Sequence, residues 1–512
     1  MVDPRTPVLV GVGQFTERID DADYRGMSAV ELATEAARAA LADTGAAAAK
    51  VAGAIDTVYA LRQFEISSPM PAKLGKSNNY PRSVMQRVGG DPARVVLEPV
   101  GGQGPQKLVA EAGNTIAAGD ADVVMIMGSE AGSTVKFWRE AAKRGEAKPD
   151  FTEHVEGQLE DRGHQLFSYI DDYTIAHGLT GAPVQYGLLE NARRARLGLS
   201  VADYRQQMAE LFAPMSKVAA KNPFSSSPVE RSVDEIVGVS DDNRMICDPY
   251  PRLLVARDQV NQGAAAIMMS VEAARRLGVP EGNWVYLHGH SDMVEQATLD
   301  RLDLGASPAS VMAVREALRV AGIGADDVAT FDLYSCFPFP VFVACEALGI
   351  DGDDPRGLTL TGGLPYFGGP GNSYSLHGIA ETVIEMRNAP GQFGFVGANG
   401  GIMSKYSVGI YSTEPVDWRT NRCAELNEEI AALPKVPVTR AADGAATIET
   451  YSVRYDWPIR TGIIVGRLSA DNSRFMATTE DDDLVALMSD GDPLGAPISV
   501  WSTENGNRAM LA

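Results

Sequence analysis

Short runs of consecutive apolar residues alternate with amphipathic helical stretches along most of this chain, and one such unit is written twice. An apolar run closed by glycine suits a strand buried on both faces, and strands alternating with helices define a layered α/β architecture. Val8–Val12 is the first run. Ser28-Ala-Val-Glu31 then reads as a capping box, in which hydroxyl and carboxylate satisfy each other's backbone amides, with Met27 and Leu32 as its hydrophobic staple. Ala29, Leu32, Ala33, Ala36, Ala40 and Leu41 keep helical period up to Gly45, and a strand follows at Ile55–Leu61. Val95–Leu97 leads through the turn Gly-Gly-Gln-Gly-Pro into a helix presenting Leu108, Ala112 and Ile116 on one face, and Val123–Met127 is the next buried strand. The repeat lies at Ala40-Leu-Ala-Asp-Thr-Gly45, which matches Ala317-Leu-Arg-Val-Ala-Gly322, each ending an amphipathic helix. Asp56-Thr-Val-Tyr-Ala follows the first and Asp332-Leu-Tyr-Ser-Cys the second at nearly equal distance. A repeated helix–loop–strand unit points to duplication.

The alternation is interrupted once and then abandoned. Residues from about 131 to 245 are richer in charge, with a helix at Glu190–Arg196 and the loop Lys221-Asn-Pro-Phe-Ser-Ser-Ser-Pro228, as expected of an insertion over the scaffold. From Ala264 the alternation resumes, with a helix from Ser307 to Ala321, a strand at Thr330–Leu333 and strands near Phe393 and Tyr406. After Asp417 a proline-broken linker precedes stretches that alternate apolar and polar residues over strand lengths, parted by turns such as Asp471-Asn472. Four or five antiparallel strands in so short a stretch predict a small OB-like all-β barrel. Glu480–Asp483 reads as the acidic first turn of a short helix. The expected division is 1–255 including the insertion, 256–416, and 417–512.

Composition narrows function more than fold. Lysine and arginine total 45 against 67 aspartate and glutamate, a net charge of −22 over 512 residues. Such a surface repels nucleic acid and anionic membranes, so a phosphate-bearing ligand needs a local basic or amide-lined pocket. The barrel segment is itself acidic, which argues against a single-strand-binding role. Four widely spaced cysteines form neither a disulfide framework nor a zinc-ligand pattern, and no metal is expected. His288 and His290 share one face of a strand, but no third ligand accompanies them. With no long apolar run, membrane spans are not expected, and the expected compartment is the cytoplasm.

The duplicated halves, the inserted middle and the glycine-rich loops in this order resemble the thiolase superfamily, most closely the sterol-carrier-protein-type thiolases, over roughly residues 5–415. The resemblance implies a duplicated, layered α/β/α/β/α fold and a pocket for coenzyme A thioesters. In that family a nucleophilic cysteine opens a loop at a helix N-terminus, where amides and helix dipole lower its pKa. The matching segment here is Val100-Gly101-Gly102-Gln103-Gly104-Pro105, with Gly101 at the cysteine's place. Where the sterol-carrier type carries His-Asp-Cys-Phe, the chain reads Tyr334-Ser335-Cys336-Phe337. Tyrosine stands for a histidine of the oxyanion hole, and Cys336 is either heir to the family's acid/base cysteine or a small buried apolar residue. The third loop, Thr361 to Gly371, has Gly369 where the family has its activating histidine, and the fourth reads Ala398-Asn399-Gly400-Gly401 without cysteine.

His377, at the start of a helix past the third loop, either caps that helix or stands in for the missing base. Arg193, Arg194 and Arg196 in the insertion, with Lys217 and Lys221, either form a solvated face or receive coenzyme A phosphates. The leading expectation is a protein that binds coenzyme A or acyl-CoA thioesters, none held as a tight cofactor, without ordinary thiolysis or Claisen condensation. The alternatives are an active acetyl-CoA C-acyltransferase or thioester hydrolase using Cys336 and His377, and an assembly subunit whose C-terminal domain recruits a lipid-metabolism partner. The family implies a homodimer.

Overall fold

The computed structural model describes residues 2–68, 70–164, 171–456 and 459–512. Among them, β1 (Pro7–Glu17), β2 (Thr57–Leu61), β3 (Arg94–Glu98), β4 (Val123–Ala131) and β5 (Glu160–Asp161) build the first part of a mixed sheet. β6 (Met245–Cys247) and β7 (Tyr250–Pro251) turn away from it. β8 (Asn261–Ser270), β9 (Val285–Val294), β10 (Val328–Leu333), β11 (Phe393–Gly400) and β12 (Lys405–Ser412) complete it. The spatial order is β10-β11-β12-β9-β1-β8-β4-β2-β3-β5.

The duplication is visible in that order. β2-β4-β8-β1 and β10-β11-β12-β9 each consist of a parallel pair followed by two antiparallel pairs. The halves join where β1 meets β9, with Val8 opposite Tyr286 and Leu9 opposite Val285. Helices Gly104–Ala118 and Tyr374–Asn388 touch each other and strands of both halves, and so lie between them. Leu108, Ala112 and Ile116 share one apolar cluster there with Leu376, Ile379 and Val383. The outer faces are covered by helix Ala29–Asp43, whose Ser28–Glu31 capping box is complete, and by helix Pro308–Ala321. Helix, half-sheet, helix pair, half-sheet, helix make the expected layers.

Both outer helices press their backbones onto glycines of the strands beneath. A Cβ on Gly11 would lie 2.3 Å from the Ala40 carbonyl oxygen, and one on Gly289 2.1 Å from that of Ala317. Ala40 and Ala317 are the matched positions of the sequence repeat, so each half makes the same crossing. In β1 a bulge between Leu9 and Gly11 lets Val8 and Val10 face the outer cluster while Leu9 and Val12 face the central one.

The C-terminal strands are β13 (Gly444–Asp456), β14 (Ile459–Leu468), β15 (Arg474–Thr479), β16 (Pro497–Thr503) and β17 (Gly506–Leu511). They close into a small five-stranded barrel in the order β13-β14-β15-β17-β16, with β16 and β14 both on β13. β15 and β17 run parallel, and helix Asp482–Asp490 follows β15 with Asp481 as its cap. β6 and β7 extend this second sheet from β13. Helix Cys423–Ala431, ahead of the barrel strands, packs on β9 and on helix Pro308–Ala321. No helix among the described residues is long and apolar enough to cross a membrane.

Gly289→Ala should lower the free energy of unfolding by about 1–3 kcal/mol, the usual range for forced overpacking. Urea denaturation at constant m measures it. An unchanged midpoint would mean that the helix does not sit on the strand this closely.

Candidate functional site

The four glycine-rich loops come from different layers and meet at one place. The first links β3 to helix Gly104–Ala118, the second links β10 to helix Pro338–Leu348, the third precedes helix Tyr374–Asn388, and the fourth ends β11. A Cβ on Gly102 would lie 2.3 Å from the Tyr334 hydroxyl and 2.6 Å from the Asn399 carbonyl oxygen, so the first loop touches the second and fourth through a bare glycine. The Gly101 amide donates to Asn372 Oδ1 of the third segment at 2.8 Å. Asp332, at the end of β10, fixes the third loop by accepting from the Leu360 and Thr361 amides and from both the Thr359 and Thr361 hydroxyls. Burial nevertheless raises its carboxyl to about 6.

The loops enclose a cavity of about 900 Å³ whose lining includes Gly101, Tyr334, Cys336, Gly369, Asn399 and Tyr186. Tyr186 reaches it from helix Ala182–Leu197 of the insertion. Its hydroxyl donates to the Gly401 carbonyl at 3.0 Å and accepts from Asn399 Nδ2 at 2.7 Å. No side chain projects from Gly101, and the volume beside it is taken. A Cβ there would lie 2.2 Å from Gln103 Oε1, and a Cβ on Gly400 would lie 1.8 Å from the same atom. Gln103 is buried and its Oε1 has no hydrogen-bond partner among the described residues.

Cys336 Sγ lies 3.7 Å from Asn399 Nδ2. Burial pushes its pKa up to about 12, outweighing the hydrogen bonds of Tyr186 and Asn399, so the group is a thiol at neutral pH. His377 sits inside the first turn of its helix, with Nδ1 2.7 Å from Gln14 Oε1 and its ring edge-on to Phe367. It neither caps the helix nor lines the cavity. Burial drives its pKa down to about 3, and Nε2 has no partner among the described residues. Cys336 and His377 are therefore bonded to different neighbours, and the structure does not bring them together as a nucleophile–base pair.

The clustered basic residues of the insertion are likewise engaged elsewhere. Arg193 pairs with Glu346 at 2.7 Å, Arg196 with the same carboxylate at 2.9 Å, and Lys217 faces Glu230 at 3.5 Å. Arg194 makes a two-pronged pair with Asp492 of the barrel at 2.8 Å. Lys221 is exposed, and none of the five lines the cavity. The cations that do line it are Lys136, Arg231, Arg244, Arg252 and Arg257. Arg231 pairs with Glu235, whereas Arg244, Arg252 and Arg257 have no carboxylate within ion-pair distance among the described residues. Burial and the neighbouring Arg252 together lower the Arg257 pKa. Sequence reading missed these three because they are spaced singly through a loop, and only Ile246, Leu253 and Val255 between them hint at a wall. His288 and His290 each bond a backbone carbonyl, of Glu414 and Arg419, which holds the chain leaving β12.

A doubled layered fold with four such loops around one cavity defines a thiolase-type protein. A family profile described as the thiolase-like protein type 1 additional C-terminal domain matches residues 425–505. A monomeric SCP2-thiolase-like protein type 1 from Mycobacterium smegmatis, known from its crystal structure, is 62% identical over 100% of both chains with a TM-score of 0.87. The chain belongs to this family of type 1 thiolase-like proteins with an additional C-terminal domain. The dimeric peroxisomal thiolase of Saccharomyces cerevisiae shares the fold at 13% identity and a TM-score of 0.58, over 81% of this chain and 99% of that one. An acetyl-CoA acetyltransferase of Methanothermobacter thermautotrophicus is 26% identical over 39% of this chain, which spans about half of that relative, 54% of its length.

Cys336 should resist alkylation. At pH 8 iodoacetamide should label it at least about a hundredfold more slowly than in the urea-unfolded chain, because the reactive thiolate is scarce and shielded. Mass spectrometry of quenched samples gives both rates, and equal rates would contradict a buried, protonated thiol.

Proposed function

We propose that the protein binds a coenzyme A thioester in this cavity without forming a covalent acyl-enzyme at the place where the family carries its nucleophile. The observation that carries this reading is that Arg244, Arg252 and Arg257, on the cavity wall of a chain with net charge −22, have no ion-pair carboxylate among the described residues. Guanidinium groups left without carboxylates in so acidic a protein suit the phosphates of an anionic ligand. The volume is that of a pocket for an elongated organic ligand, and its wall is mostly apolar.

Tyr334 supplies the complementary polar group. Its ring stacks edge-on against Tyr374, its hydroxyl has no protein partner among the described residues, and burial holds the phenol protonated by raising its pKa well above the ordinary value. A protonated phenol facing the cavity donates a hydrogen bond to a thioester carbonyl. Three features support the absence of family chemistry: no side chain at Gly101, its amide already bonded to Asn372, and a protonated Cys336. The strand order of the barrel supports an OB-like assignment for the C-terminal domain.

Coenzyme A or acetyl-CoA should give saturable heat in calorimetry at submillimolar ligand, weakening as salt rises. The double variant Arg252→Ala/Arg257→Ala should weaken binding about tenfold or more, since each hydrogen bond to a charged group contributes about 1.5–3 kcal/mol. Iodoacetamide-sensitive thiolysis of acetoacetyl-CoA should be absent. No heat at millimolar ligand sinks the binding reading, and alkylation-sensitive turnover sinks the non-covalent one. Tyr334→Phe should weaken acetyl-CoA more than free coenzyme A, which has no thioester carbonyl.

A further inference from the structure

The fourth loop has an unusual backbone and an unusual support. Met403 holds a φ of +47°, in the left-handed region that a side chain other than glycine rarely adopts. Such a conformation persists only where the surroundings over-determine it. Its amide donates to the Tyr186 hydroxyl at 3.2 Å, and the Ser404 amide returns to the Gly400 carbonyl at 3.1 Å. The carbonyls of Ile402 and Met403 are both held by Arg301 Nη2, at 3.3 and 2.9 Å, while Arg301 Nε holds the Gln296 carbonyl at 3.0 Å. Arg301 is 2% exposed and has no carboxylate within ion-pair distance among the described residues. Gly401 and Ile402 line the cavity.

Arg301 is in turn held from the barrel. Arg474, at the start of β15 and fully buried, donates to the backbone carbonyls of Leu299 at 2.7 Å and Arg301 at 2.5 Å. Its other nitrogens grip Glu449 at 2.9 and 2.6 Å, and Arg467 grips the same carboxylate from the far side. Glu449 sits where the register of β13 shifts between Ile448 and Thr450, a bulge that re-aims a side chain. The second contact runs through the insertion. Asn191 donates to the Tyr451 carbonyl at 2.9 Å and Thr450 to the Leu188 carbonyl at 2.6 Å, on the helix that carries Tyr186. Both supports of the fourth loop, Arg301 and Tyr186, thus lean on β13 and β15.

From this relay we infer that the C-terminal barrel is a structural part of the cavity, with Arg474 and Arg301 as positioning residues for the loop at 400–404. Arg474 fixes the Arg301 backbone, Arg301 fixes two loop carbonyls, and neither touches the cavity content. The loop is ordered by the barrel whatever the cavity binds.

Amide hydrogen exchange on the full chain without ligand tests it, so failure of the coenzyme A reading would leave this test intact. In Arg474→Met the amides of Met403 and Ser404 should exchange at least about tenfold faster, while those of β1 and β8 keep their wild-type rates. Arg301→Met should do the same with β14 and β16 unchanged. Faster exchange in the barrel alone, with Met403 and Ser404 at wild-type rates, would overturn the inference. Should Arg474→Met fail to fold, Glu449→Gln keeps both arginines and should speed Met403 and Ser404 about threefold; no change there would overturn it equally. Trp501→Ala, on the outside of the barrel, should leave the loop amides unchanged.

Discussion

Contact between helix backbone and bare strand is the constraint on which the rest of this molecule depends. Where Gly11 and Gly289 admit the carbonyls of Ala40 and Ala317, the outer helices come closer to the sheet than any side chain would permit. On the opposite face each half-sheet packs on the shared helix pair, and loops from both halves meet at a common point. Gly102 repeats the principle at the centre, where its missing side chain admits both Tyr334 and Asn399. Glycine acts here as a distance, and the cavity is the space that distance defines.

Within the cavity, desolvation decides the chemistry. Cys336 stands near two hydrogen-bonding side chains, yet burial dominates and the thiol stays protonated. The same force keeps the Tyr334 phenol protonated and, behind the lining, lowers the pKa of His377. Among the charged groups on its wall, Arg244, Arg252 and Arg257 have no carboxylate within ion-pair distance among the described residues.

Local signals were legible from sequence and converging ones were not. The Ser28–Glu31 box, the acidic helix start at Asp482 and Asp483, and the alternating barrel strands are each written within a few residues, the matched Ala40 and Ala317 within two short segments, and each is where the reading puts it. The loops around Gly101, Tyr334, Gly369 and Asn399 were readable because a family pattern carries their order. His377 was not, because its partner Gln14 lies on the first strand of the chain. Arg193, Arg194 and Arg196 read equally as a solvated face or an anion site because they cluster on one helix, and the carboxylates that pair with them, Glu346 and Asp492, come from distant segments. Arg244, Arg252 and Arg257 were passed over for the converse reason, since a shared wall is a property of the folded chain.

Gln103 has a consequence for how such sequences change over time. Its amide is wedged between the bare faces of Gly101 and Gly400, so a side chain introduced at either position meets it. The three residues belong to two loops nearly 300 positions apart, yet one side chain sets the space available at both glycines. A lineage that alters Gln103 to something smaller frees both glycines to vary. With Gln103 in place, a cysteine at 101 enters occupied space unless the glutamine side chain swings aside.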